Sequence, residues 1–225
     1  TGNSSLDGSN GNVRTFTSDG VTVNASAFSR ASDGDWDEVY LGAYSSGLGV
    51  TDNSEGDGGN GLHRVDNVGE QNFVLFEFSE EVIVDQTFLD SVVDDSDVSI
   101  WIGTTANPLA SHNTLSDGFL SGLEHYEVNN TGSSSSRWAN FNGAGVKGNV
   151  LVIAASVEDA SPEDRFKIRK LQVETVSPGI YSNVAIVTAG GASDSDVSHY
   201  RNTSTNPALD IEKLTNGVDA DNPLE

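Results

Sequence analysis

Residues 47–79 read GLGVTDNSEGDGGNGLHRVDNVGEQNFVLFEFS, an acidic, Gly-rich loop that runs into a strand. Asp52, Asn53, Glu55, Asp57, Asn60, Asp66 and Asn67 put hard oxygen donors on a backbone made pliable by glycine, which is the ligand chemistry calcium prefers. Residues 73–78 then read as a half-buried strand. The stretch therefore predicts a cation-fastened loop on a β-sheet. No nucleophile, base or phosphate cradle stands beside it with comparable clarity, so a binding or structural module is expected before an enzyme.

Working outward, residues 13–17 and 21–28 alternate as two strands around Ser18-Asp19-Gly20, a hairpin signal with glycine free to take positive φ. Residues 29–38 carry Asp33, Asp35 and Asp37 at every second position, a second acidic loop, and 39–44 return as a strand. On the other side, residues 73–89 predict a second hairpin cornered at Glu80-Glu81. Residues 90–97, DSVVDDSD, form a third acidic loop with Asp94, Asp95 and Asp97. In 98–102, VSIWI, alternation sends Val98, Ile100 and Ile102 to one face and Trp101 to the other, away from the presumed core.

Residues 104–148 are turn-rich, with short strands near 126–128 and 137–141, and 150–155, VLVIAA, read as a buried strand. Residues 165–176 alternate Phe166, Ile168, Leu171 and Val173 against Arg165, Lys167, Arg169 and Lys170, with one slip near Lys170 that predicts a bulge. These four are among only eleven basic residues in the chain, so this strand would suit an acidic partner. Residues 1–12 are a polar lead expected to be mobile, 13–176 the main domain, and 177–225 extra strands and a linker toward a following repeat, divided at Pro178-Gly179. Within the tail, 180–188 read as a strand, 190–206 as an acidic polar segment and 208–222 as a weak strand and loop.

The chain has 225 residues, enough to bury a core, and its 24 Gly with many Ser, Asn and Asp predict short strands and numerous turns. A formal charge of −23 repels phosphate backbones and anionic lipid, which argues against nucleic acid as a partner. With no Cys, disulfides, thiolate zinc sites and cysteine nucleophiles are excluded. The absence of Met, first position included, reads as a processed piece. No apolar run approaches the ~20 residues that span a bilayer, so direct membrane insertion is not expected.

The ordered segments GLGV, HRVDN, FVLFEFSEEV and DSDVSIWIGT, within residues 13–176, resemble the β-rich extracellular domain of exported bacterial proteins that carry PEP-CTERM sorting signals. The tail, YSNVAIVTAGGASDSDVSHY and PALDIEKLTNGVDADNP, is similar to the starts and ends of tandem Ig-like repeats in large bacterial surface proteins. These resemblances imply export, an extracellular or cell-surface location, a non-catalytic role and neighbouring repeat domains. The sorting tail itself is lacking.

As calcium ligands the residues favoured are Asp52, Asn53, Glu55, Asp57 and Asp66, with Asp94, Asp95 and Asp97 next. Trp36, Tyr44, Trp101, Tyr126 and Trp138 are the rings available to lie against a sugar. The four His residues, His63, His112, His125 and His199, have no H-E-x-x-H spacing, and there is no G-x-S-x-G elbow. Carboxylates drawn from Asp94, Asp95, Glu124 and Glu127 would serve glycoside hydrolysis only at a spacing that sequence does not give. The expectation is an antiparallel jelly-roll β-sandwich, bound to calcium, that recognises a polysaccharide or, alternatively, a surface peptide, or that acts as a spacer.

Overall fold

The computed structural model describes residues 12–56, 62–111, 113–129, 133–159 and 161–175, and the backbone alone of four further strands between 179 and 219. The chain forms two compact units, Thr1–Thr175 and Val176–Glu225. In the first, β1 (Val13–Ser18) and β2 (Val21–Arg30) form the expected hairpin, its turn made by Asp19 and Gly20 at φ of 51° and 87°. There follow β3 (Trp36–Tyr44), β4 (Gly47–Thr51), β5 (Val65–Asp66), β6 (Gln71–Asp94), β7 (Val98–Gly103), β8 (Glu124–Val128), β9 (Arg137–Asn140), β10 (Lys147–Ala155) and β11 (Asp164–Thr175). Two single-turn helices, α1 (Pro108–Ser111) and α2 (Asp117–Leu120), lie between β7 and β8. In the second unit β12 (Gly179–Ala189) pairs antiparallel with β13 (Ala192–Asn202), and β14 (Leu214–Thr215) with β15 (Val218–Asp219).

The expectation of an all-β chain with almost no helix holds. The pairing gives a five-strand barrel with extra strands and does not establish a two-sheet jelly-roll. The ring runs β2, β3, β4, β11, β6 and back to β2, with β10, β7 and β8 carried on the far flank of β6. What makes closure feasible is β6. Its first half pairs with β2, Phe73 opposite Phe28 and Phe78 opposite Val23, and its second half with β11, Val82 opposite Thr175 and Asp94 opposite Asp164. The hairpin expected at Glu80-Glu81 is thus one continuous 24-residue strand. Ser79 and Glu80 are polar because they are exposed where the strand passes from one partner to the next, not because the chain reverses.

The last seam, β4 to β11, is a single residue pair, Leu48 opposite Ile168. Two glycines of the GLGV segment permit it. A Cβ on Gly47 would sit 2.5 Å from the Ile168 carbonyl oxygen, and φ there is +124°; a Cβ on Gly49 would collide with the His63 carbonyl.

Residues 73–78, read as a half-buried strand, are instead buried throughout, and VLVIAA is buried as expected, because both faces of these strands are covered. Val74, Phe76 and Phe78 of β6, Leu151 and Ile153 of β10 and Ile100 and Ile102 of β7 join the main core with Leu41, Val50, Leu89, Phe166 and Ile168. The alternate residues Phe73, Leu75, Val150, Val152, Ala154 and Trp101 form a second core with Phe28 and Leu115, against which Phe119, Leu120 and Leu123 pack. Trp101 does point away from the main core, yet it is only 6% exposed. Asn12, read as the end of a mobile lead, is buried, and its amide donates to the Ala27 and Val39 carbonyls. The bulge expected near Lys170 is present as a register shift between Ile168 and Lys170. Residues 192–202, read as an acidic polar segment, form the full-length strand β13.

Candidate metal centre

The third acidic segment is not the simple loop its composition predicts. Asp90 to Asp94 stay in β6, and the strand ends at Asp94, whose φ is +63°, a left-handed conformation that Asp tolerates better than most residues. That turn separates neighbours. Asp94 faces outward, 3.6 Å from the Arg165 guanidinium, whereas Asp95 bridges to Asp164 at the start of β11 and Asp97 leads into β7. One carboxylate oxygen from each of Asp95, Asp97 and Asp164 lies within 4.8 Å of the others. Their exposures are 2%, 5% and 1%, so three carboxylates share a nearly dry space.

Local hydrogen bonds set their orientation. Asp164 Oδ1 accepts from the Asp97 N–H at 2.6 Å and Oδ2 from Asn67 Nδ2 at 3.0 Å, while Asn67 Oδ1 accepts from the Asp164 N–H at 2.9 Å. The same Asn67 amide donates to the Ser156 and Asp159 carbonyls, which fastens the β10–β11 loop beside the cluster. Asp95 Oδ1 accepts from the Ser96 N–H at 2.8 Å and the Ser133 N–H at 3.4 Å. Arg137, the nearby cation, spends its own donors on the Ser96 hydroxyl and on the Ser96 and Val128 carbonyls. Burial lowers its pKa against the pull of Asp97, Asp95 and Asp164. Burial first, and then the charges of Asp97 and Asp95, push Asp164 up to about 7 despite the hydrogen bonds it accepts from Asp97 and Asn67. A site with three buried acidic groups and only oxygen ligands can hold a metal ion, and its chemistry is that of hard cations.

The residues singled out in the loop after β4 are placed differently. Asp52 is buried, but its oxygens are used locally: Oδ1 accepts from the Ser54 N–H and hydroxyl, and Oδ2 from Asn72 Nδ2 at 2.8 Å. Glu55 Oε2 accepts from the Asp52 N–H, and Asp66 Oδ1 from the Val68 N–H. Burial first, and then the charges of Asp66, Asp52 and Glu70, push Glu55 up to about 8; burial and the charge of Asp52 push Asp66 up to about 7. Among the described residues no three carboxylates of this cluster bring an oxygen each within 4.8 Å of one another. Asn53 is exposed and donates to Asp37. Asp57 and Asn60 lie outside the described residues.

The five rings are not gathered on one surface. Trp36 packs on Phe73, centroids 4.6 Å apart, and its indole N–H donates to Asp117, which also accepts from Nε and Nη2 of Arg30. Trp101 also packs on Phe73, at 5.9 Å, and Tyr126 is half-buried against the main core. Tyr44 and Trp138 are exposed, at 40% and 39%, but belong to separate pairs, with His63 and with Phe88. Tyr44 also carries the Lys167 ammonium 3.8 Å over its ring.

Sequence reading missed Asp164, which closes the buried triad. It sits 67 residues from Asp97 and follows a proline turn that marks nothing but a turn. Only strand register brings it in, Asp164 opposite Asp94. Set against family models, curated proteins and solved structures, the chain finds no match in any of the three.

Proposed function

We propose that this chain is a non-catalytic, calcium-stabilised recognition module displayed outside a bacterial cell, in which the cation locks together the end of β6, the start of β7 and the start of β11. The observation that carries the reading is the buried Asp95–Asp97–Asp164 group. Three carboxylates this deeply buried repel one another and lose hydration, a state that a divalent ion relieves. Calcium suits the place better than magnesium. Magnesium keeps several of its waters and needs near-octahedral geometry, whereas calcium gathers irregular protein oxygens, as segments brought together from distant parts of the chain supply. The resemblance to exported bacterial domains and the strongly acidic surface agree with a calcium-rich exterior.

For the ligand we favour an extended peptide over a saccharide. A groove of about 480 Å³ opens beside the β4–β11 seam, lined by Phe16 of β1, Val23 of β2, Leu48 of β4, Phe78 of β6 and Leu171 of β11, with Arg169 and Lys170 at its lip. Apolar walls and a basic lip fit apolar and acidic side chains. Sugar recognition would need ring platforms beside one another, and of the five candidate rings the two exposed ones, Tyr44 and Trp138, belong to different contacts.

Thermal melting in excess calcium against excess chelator, at constant ionic strength, tests the cation. A rise of several degrees in calcium is expected. Coincident melts would remove the metal and leave a spacer as the function.

A further inference from the structure

A second group of ligand atoms lies on the flank of the barrel and has different chemistry. We propose that His125, Glu127 and Glu158 form a surface site for a divalent transition-metal ion of the zinc type, independent of the buried carboxylates and of the calcium reading. His125 and Glu127 are two residues apart on β8, so their side chains stand on one face of the strand. Register sets them opposite Trp101 and Ser99 of β7. Glu158 arrives from the β10–β11 loop, and one ligand atom from each of the three lies within 4.8 Å of the others.

Three features mark this as a built site. The imidazole lies flat on the Trp101 indole, centroids 4.7 Å apart and planes at 15°, and Trp101 is itself held in the second core. The ring is thereby oriented before any ion arrives, with Nε2 3.6 Å from Glu127 Oε2. Ser99, fully buried, ties the two sides together. Its hydroxyl donates to Glu127 Oε2 at 2.6 Å and accepts from the Val157 N–H at 2.9 Å, next to Glu158. The Ser156 hydroxyl in turn accepts from the Glu158 N–H. Outer hydrogen bonds of this kind fix ligand geometry and are a recurrent part of metal sites. Finally, Glu127 Oε1 is shut off from solvent and accepts no hydrogen bond, although its carboxylate is tethered through Oε2. A buried carboxylate oxygen without a donor is costly, and a cation beside it removes the cost.

The donor set selects the ion. One imidazole nitrogen with two carboxylates suits zinc, copper or nickel, whereas calcium takes oxygen almost exclusively. Three protein ligands leave a coordination position toward solvent, since His125 and Glu158 are exposed.

The test is calorimetric titration of the full chain with zinc chloride while calcium is in large excess, so that hard-cation sites are filled. One saturable zinc equivalent is expected. His125→Ala should abolish it and Glu158→Gln weaken it by roughly tenfold or more. Both residues are exposed, so the variants should fold, and unchanged melting temperatures would verify this. Zinc heat that never saturates, or a saturable equivalent unchanged in His125→Ala, would overturn the assignment. In the first event the zinc would be bound only by general surface acidity, and in the second at a different site.

Discussion

Among the described residues, two triads of side chains could hold a metal ion, and they differ in nearly every physical respect. Asp95, Asp97 and Asp164 are buried, bear oxygen ligands alone, and come from segments more than sixty residues apart. His125, Glu127 and Glu158 are largely exposed, include nitrogen, and are two-thirds supplied by one strand. The buried triad is an electrostatic debt of the fold, so an ion there is coupled to stability. In the second triad His125 and Glu158 are hydrated when no ion is present and only Glu127 Oε1 is cut off from water, so an ion there is coupled mainly to its own binding. The β10–β11 loop runs between them, giving Glu158 to one while its Ser156 and Asp159 carbonyls are held by Asn67, which orients Asp164 in the other.

The largest effect that would break this contrast is on calcium affinity. Asp97→Asn or Asp164→Asn should weaken calcium binding on the order of a hundredfold, because affinity follows the number of charged ligands, whereas His125→Ala should leave it unchanged by calorimetry. Asp94→Asn should also leave it unchanged, since Asp94 faces Arg165.

The next is the pH dependence of stability. Asp164 and Asp66 are raised from 3.8 to about 7, and Glu55 from 4.5 to about 8. Groups raised in the folded state favour folding while protonated. Their contribution is complete below the unfolded values and is lost as pH climbs through 7 to 8. In chelator the melting temperature should therefore fall by several degrees between pH 5 and pH 8. Calcium, which requires the carboxylates ionised, should remove the share of that fall due to Asp164. A chelated protein that melts higher at pH 8 than at pH 5 would contradict the burial argument.

Smaller effects sharpen the comparison. Asn67→Ala removes a donor to the Asp164 carboxylate and should cost about 2 kcal/mol, seen as a melting temperature lower by several degrees. It should disturb both triads, because Asn67 also holds the loop that carries Glu158. Ser99→Ala should weaken zinc about tenfold and leave calcium binding as it was.

What the sequence revealed and what it hid follow from the range of the interactions. The β1–β2 turn at Asp19-Gly20 and the slip at Lys170 are local, and both were legible. The two-faced burial of β6, β7 and β10 was half legible: alternation put Trp101 opposite Ile100, but nothing in residues 98–102 says that the 115–123 segment covers the second face. Glu80-Glu81 misled because a polar pair looks alike in a tight turn and at an exposed strand crossing. The acidic residues of 90–97 were recognisable as candidate ligands, yet Asp94, Asp95 and Asp97 have identical chemistry, and only the left-handed backbone at Asp94 sorts them. Asp164 and Glu158 were invisible, since each is joined to its triad through pairing of distant strands.

Native mass spectrometry of the full chain, with calcium and zinc both present, would test the central assignment most directly. The unaltered chain should retain an ion of each kind, Asp164→Asn should lose calcium and keep zinc, and His125→Ala should lose zinc and keep calcium. Asp164→Asn retaining its full complement of calcium would contradict the account, because the buried triad would then not be where calcium is held.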